Sequence, residues 1–147
     1  VCMDEASLNI LWKKNIVDDL GGSNIRWGVN ESPLIVGDKV IITPGGKNNN
    51  VVALNKNNGT IIWSCAGEGD LPAYCSPLYI GDQEVPQIVT ITGKHVLGIE
   101  AATGKKLWSF AYNNMRDIHP NTPIYGGDNM LLNVFGYGKG SVMLASD

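Results

Sequence analysis

A chain of 147 residues, 44% hydrophobic and 17% charged with a formal charge of −3, has the size of one ordinary domain. No stretch approaches the ~20 consecutive apolar residues of a membrane-spanning helix, and so even a charge balance excludes both a nucleic-acid binder working through a basic face and an acidic solvating tail. Gly, Pro and Asn make up 40 of the 147 residues, a density of turn formers that predicts many short elements and an all-β fold.

In chain order, the first segment runs from Cys2 to Trp12 and carries apolar residues at both ends. It reads as the last two strands of a unit. Four strands follow, at 33–36, 39–43, 51–55 and 60–65, separated by the turn Gly37-Asp38, a loop from Pro44 to Asn50, and the turn 56–59. Gly59 and Gly104 suit the left-handed position that ends such a hairpin turn, where a Cβ is costly. Asp4 and Asn55 can fold a side-chain oxygen back onto the turn amides, which Glu100 does less readily. Leu8 occupies the equivalent glycine position in the first segment and would be strained there by ~1–2 kcal/mol, so a deviant turn is expected at 5–9.

Two unrelated landmarks repeat at one period. Segments ending at Trp12, Trp63 and Trp108 align, each with a small residue (Cys2, Ala53, Gly98) ten positions before the indole. Upstream, Ser32-Pro33, Ser76-Pro77 and Thr122-Pro123 recur at the same spacing, and Met143 falls where a fourth copy starts. Four strands per ~45 residues is the requirement of a β-propeller blade. A β-sandwich is the alternative, but it gives no reason for a periodic Trp. In a propeller, an indole opening every fourth strand packs between neighbouring blades and donates its N–H to a backbone carbonyl. The expected division is 1–26 for the end of one blade, 27–66 and 67–111 for two blades, and 112–147 for an incomplete one.

The segments ALNKNNGTIIW, ending at Trp63, and GIEAATGKKLW, ending at Trp108, resemble the pyrroloquinoline-quinone (PQQ) repeat with its tryptophan-docking motif A-x-D-x-x-T-G-x-x-x-W. The second copy supplies Ala53, Gly59 and Trp63, with Asn55 in place of Asp; the third supplies Thr103, Gly104 and Trp108; the first keeps Asp4 and Trp12 and lacks the Gly. The resemblance covers essentially the whole chain and implies an arc of a larger bacterial propeller. One fold hosts many chemistries, so it says far less about function. The chain opens at Val1, inside a third strand, with no signal-peptide pattern, so processing signals are expected to have been removed or never included.

In this topology, the connections leading into each innermost strand share one face with the loops joining second to third strands. Candidate ligand contacts there are Trp27, Glu31, Tyr74 and His119 from the first set, and Lys47, Lys94 and Lys139 from Gly-Lys pairs of the second. A ring of ammonium groups around a funnel would suit a carboxylate-rich ligand; turn geometry and solubility are the preferred explanation of the pairs. His119 precedes Pro120 and so lies in an extended or turn segment, where it is either a general base oriented by Glu31 or Asp117 or, more commonly, a solvated or backbone-bonded side chain. Cys65 and Cys75 fit either a disulfide or, preferably, buried free thiols, and no cysteine or histidine spacing matches a zinc site.

Two functions follow from the resemblance. The favoured one is a non-catalytic binding or scaffold module that offers its face to a protein partner or small ligand. Its other contacts would be the remaining blades of its propeller or a second copy of itself. The alternative is a segment of a quinoprotein alcohol or sugar dehydrogenase with PQQ and Ca²⁺ in the funnel, for which Trp27 is the sole stacking candidate. No catalytic or metal-binding residue is assigned, and no cofactor is predicted. A periplasmic or otherwise extracytoplasmic setting is implied by the resemblance.

Overall fold

The structure, a computed structural model, describes residues 1–127, 130–133 and 140–145. Its described elements are all strands: β1 (Cys2–Met3), β2 (Ile10–Trp12), β3 (Leu34–Val36), β4 (Lys39–Ile42), β5 (Val51–Asn55), β6 (Ile61–Cys65), β7 (Leu78–Ile80), β8 (Gln87–Ile91), β9 (His95–Glu100), β10 (Lys106–Ala111), β11 (Ile124–Tyr125), β12 (Met130–Asn133) and β13 (Val142–Ala145). Consecutive strands pair antiparallel into four sheets, β1-β2, β3-β4-β5-β6, β7-β8-β9-β10 and β11-β12-β13. The sheets are successive blades in an arc of a β-propeller. Their first strands lie innermost: β3 touches β7, and the Ser32 amide donates to the Ser76 hydroxyl at 2.8 Å. The recurring Ser-Pro positions therefore meet across the blade boundary.

The apolar cores lie between sheets. Ile41, Val51, Ala53, Trp63 and Cys65 of one blade pack on Ile88, Leu97, Ile99 and Ala101 of the next. A second cluster joins Ile80, Val89, Ile91 and Val96 to Tyr125, Val142 and Leu144. A third places Leu20, Ile42, Val52 and Leu54 against Trp12. This explains why β5 reads VVAL without alternation: all four residues are buried, because both faces of the strand are covered.

The tenfold spacing in the repeat is a cross-strand register. Cys2 pairs with Trp12, Ala53 with Trp63, and Gly98 with Trp108, so the small residue makes room for the indole directly opposite. From there Trp12 and Trp63 reach forward into the next blade. Trp12 Nε1–H donates to the Lys56 carbonyl at 2.8 Å and Trp63 Nε1–H to the Ala101 carbonyl at 3.2 Å, equivalent positions in successive hairpin turns. Each ring also covers the turn glycine: a Cβ on Gly59 would come within 2.7 Å of Trp12, and one on Gly104 within 2.6 Å of Trp63. Trp108 instead donates to the Gln87 side chain of its own blade at 2.7 Å.

The first hairpin corrects one expectation. No deviant turn forms at 5–9. Leu8 N–H donates to the Asp4 carbonyl, and Asp4 N–H to that of Asn9, matching the bonds closing at Gly59 and Gly104. Leu8 accepts a φ of 59° to do so. The Asp4 carboxylate takes the Ser7 amide and hydroxyl, Asn55 Oδ1 takes the Asn57 amide, and the Glu100 carboxylate takes the Thr103 hydroxyl. All three cysteines are free thiols, with Cys65 and Cys75 buried.

Two stability outcomes follow. Trp63→Ala, at a side chain only 7% exposed, is expected to cost ~3–5 kcal/mol in urea denaturation. Leu8→Gly relieves ~1–2 kcal/mol of left-handed strain and loses ~0.4–1 kcal/mol to a freer unfolded chain, so the denaturation midpoint should rise slightly.

Candidate functional site

The two loop sets do meet on one face, held by backbone bonds. Ser23 N–H donates to the Pro44 carbonyl, Gly46 N–H to that of Asp70, Gly93 N–H to that of Leu71, and His119 N–H to that of Ala73. Connection and loop alternate around the arc, and each fastens the next. Glycine is required where the backbones approach: at Gly45, with a φ of 74°, a Cβ would overlap the Pro72 ring.

On this platform Trp27 is 52% exposed. Its ring centroid lies 5.7 Å from that of Tyr74 at a 54° tilt, and the Arg26 guanidinium sits 5.1 Å above the indole. Tyr74 carries a φ of 76°, an uncommon conformation for a bulky residue and one that concentrates at functional positions. Lys47 and Lys94 are both exposed, and they flank Asp70: the Gly46 amide beside Lys47 reaches the Asp70 carbonyl, and the Lys94 amide reaches the carboxylate at 3.2 Å. Lys139 lies outside the described residues.

Glu31 and His119 sit deeper. Glu31 Oε1 accepts the Thr43 amide at 2.6 Å, just past the end of β4. Burial raises this carboxyl to about 7, against the lowering pull of the Thr43 bonds. Thr43 touches Thr90 of the next blade at 3.4 Å, hydroxyl to hydroxyl. Cys75, which stands in its blade where Glu31 stands in the one before, donates to the Ile91 carbonyl at 3.3 Å. Burial pushes that thiol up to about 11, so it is protonated and unreactive at neutral pH. His119 is 1% exposed, its Nε2–H donates to the Gly93 carbonyl at 3.1 Å, and its ring meets the edge of Tyr112. Of the two sequence readings of this histidine, the backbone-bonded geometry is the one present, and the ring is buried rather than solvated.

Sequence reasoning passed over Asp70. Its carboxylate accepts the Thr92 hydroxyl at 2.6 Å and His95 Nδ1–H at 2.8 Å. Burial works to raise this carboxyl, but the bonds from Thr92 and His95 outweigh it and hold it below the usual range. Its carbonyl also takes the Asn50 side-chain amide at 2.7 Å. Asp70 is thus the rivet between two blades' loops. The Thr92-Gly93-Lys94-His95 run was the available signal, since a histidine opening a strand beside a threonine needs an acceptor.

These features sit in a frame that other proteins share. A protein-family model described as "Outer membrane protein assembly factor BamB" matches residues 1–144. The chain belongs to this family of PQQ-repeat propellers. Among solved structures, BamB from Moraxella catarrhalis is similar at 17% identity and a TM-score of 0.49, over 72% of this chain and 31% of that one. The chain thus spans about a third of that BamB's length. No curated protein matches it. Trp27, Tyr74 and Glu31 all lie on connections between blades, outside the strands.

The Glu31 environment predicts a pH dependence. A carboxyl raised from 4.5 to about 7 favours the folded state most below pH 4.5, and that contribution is lost as the pH rises through 7, by up to about 3 kcal/mol. Glu31→Gln keeps the acceptor for Thr43 and removes the titration. Denaturation midpoints measured from pH 5 to 8 should fall in the parent and stay level in the variant.

Proposed function

We propose that this chain is part of a non-catalytic propeller module whose loop face binds a protein partner in an extracytoplasmic compartment. The observation that carries the reading is the exposed Arg26–Trp27 pair beside half-buried Tyr74 on cross-bonded loops. Trp, Tyr and Arg are the residues that dominate binding energy at protein interfaces, and a scaffold that does not reorganise keeps the entropy cost of association low. Family membership supports the same reading, because the matching description is that of an assembly factor.

The residues fit a bound quinone poorly. Arg26 covers one side of Trp27, and Tyr74 is tilted against the ring rather than parallel to it, so these groups do not form a slot for a flat tricycle. Among the described residues, no group of three His, Cys, Asp or Glu side chains is placed to hold a metal ion. Glu31 already spends an oxygen on Thr43.

Titration of the protein with PQQ and Ca²⁺, followed by calorimetry and tryptophan fluorescence, tests the proposal. The expected result is no saturable heat or quenching. Micromolar binding abolished by Trp27→Ala would overturn it in favour of the dehydrogenase.

A further inference from the structure

The charges on the loop face are partitioned in a way that specifies a partner. The carboxylates along these connections are mostly consumed inside the protein. Glu31 caps Thr43, Asp70 is held by Thr92 and His95, and Glu68 pairs with Lys106 at 2.6 Å. Asp18 and Asp19, exposed on the connection that carries Arg26, accept hydrogen bonds from Asn15, and half-buried Asp117 lies close to Gly93, next to Lys94. The cations are not consumed. Among the described residues, the Arg26 guanidinium and the Lys47 and Lys94 ammonium groups have no carboxylate within ion-pair range and no hydrogen-bond acceptor. The Arg26 guanidinium lies over the Trp27 ring, and a guanidinium is the group that engages a carboxylate bidentately.

The positions are coupled along one short connection. Tyr74, which supports Trp27, lies four residues beyond Asp70, and Asp70 accepts the backbone amides of Gly46, which precedes Lys47, and of Lys94. The aromatic patch therefore carries Arg26 and shares its loop face with Lys47 and Lys94, three cations without a carboxylate in ion-pair range, in a protein whose net charge is −3. Nucleic acid is a poor match, since it needs many phosphate contacts and the whole chain has 11 Lys and Arg against 14 Asp and Glu.

Resting on the binding-module reading, we infer that the Arg26–Trp27–Tyr74 patch, on the loop face that also carries Lys47 and Lys94, docks an extended acidic segment of a protein partner. An aromatic or aliphatic side chain of that segment would lie on Trp27, with carboxylates toward the three cations. Charge complementarity names the occupant; the exposed indole supplies the apolar anchor.

The test uses the full chain and a fluorescein-labelled octapeptide of alternating Glu and Phe, with an alternating Lys and Phe peptide as its charge-inverted counterpart, read by anisotropy. The acidic peptide should bind, weakening as salt rises, and the basic one should not. Trp27→Ala should weaken binding about tenfold. Arg26→Glu should abolish it, and that exposed substitution serves as an independent reading should the Trp27 variant fold poorly by circular dichroism. Absence of binding, equal binding of both peptides, or affinity unmoved by either substitution would overturn the inference. If the quinone titration is also negative, such a failure removes this surface alone and leaves the binding module standing; a positive quinone titration removes the module itself.

Discussion

The arc depends on an indole reaching across a gap. Trp12 and Trp63 each leave their own blade, cover the turn glycine of the next and donate to a turn carbonyl. That one contact provides apolar burial, a satisfied N–H and a fixed distance between sheets. Because the cores lie between blades rather than within them, no blade buries its apolar face alone. Stability is then the sum of nearest-neighbour seams, as in other repeat architectures.

The periodic part of this design was open to sequence reading because it rests on local rules. The alternation of apolar and turn residues places β3 to β6 within a residue or so of their observed bounds, and the fixed interval between small residue and Trp is a hairpin register seen edge-on. Gly46-Lys47 and Gly93-Lys94 fall between the second and third strands of their blades, as expected.

What stayed hidden has no period. The bond from Thr43 to Glu31 and the bonds from Thr92 and His95 to Asp70 join segments whose proximity exists only after the loops have met. Burial of His119 follows from the packing of Gly93 and Tyr112 around it, and a His-Pro pair in isolation suggests only an irregular backbone. The aromatic face shows the same limit. Arg26 and Trp27 are neighbours in the chain, but Tyr74 reaches them from the next connection through a backbone angle that no local residue preference favours.

Leu8 separates two reasons for a glycine that are usually confounded. Its backbone makes the same turn as Gly59 and Gly104, so the hairpin register can impose a left-handed residue even where a side chain is present. What Gly59 and Gly104 uniquely provide is empty space above the turn, which the neighbouring indole fills. At Leu8 that space is filled by a side chain 68% exposed to solvent. Trp12 and Trp63 thus extend in one direction along the arc, and its first hairpin is shaped to refuse an indole. Any sheet laid against that hairpin would have to bind by a contact unlike those of Trp12 and Trp63.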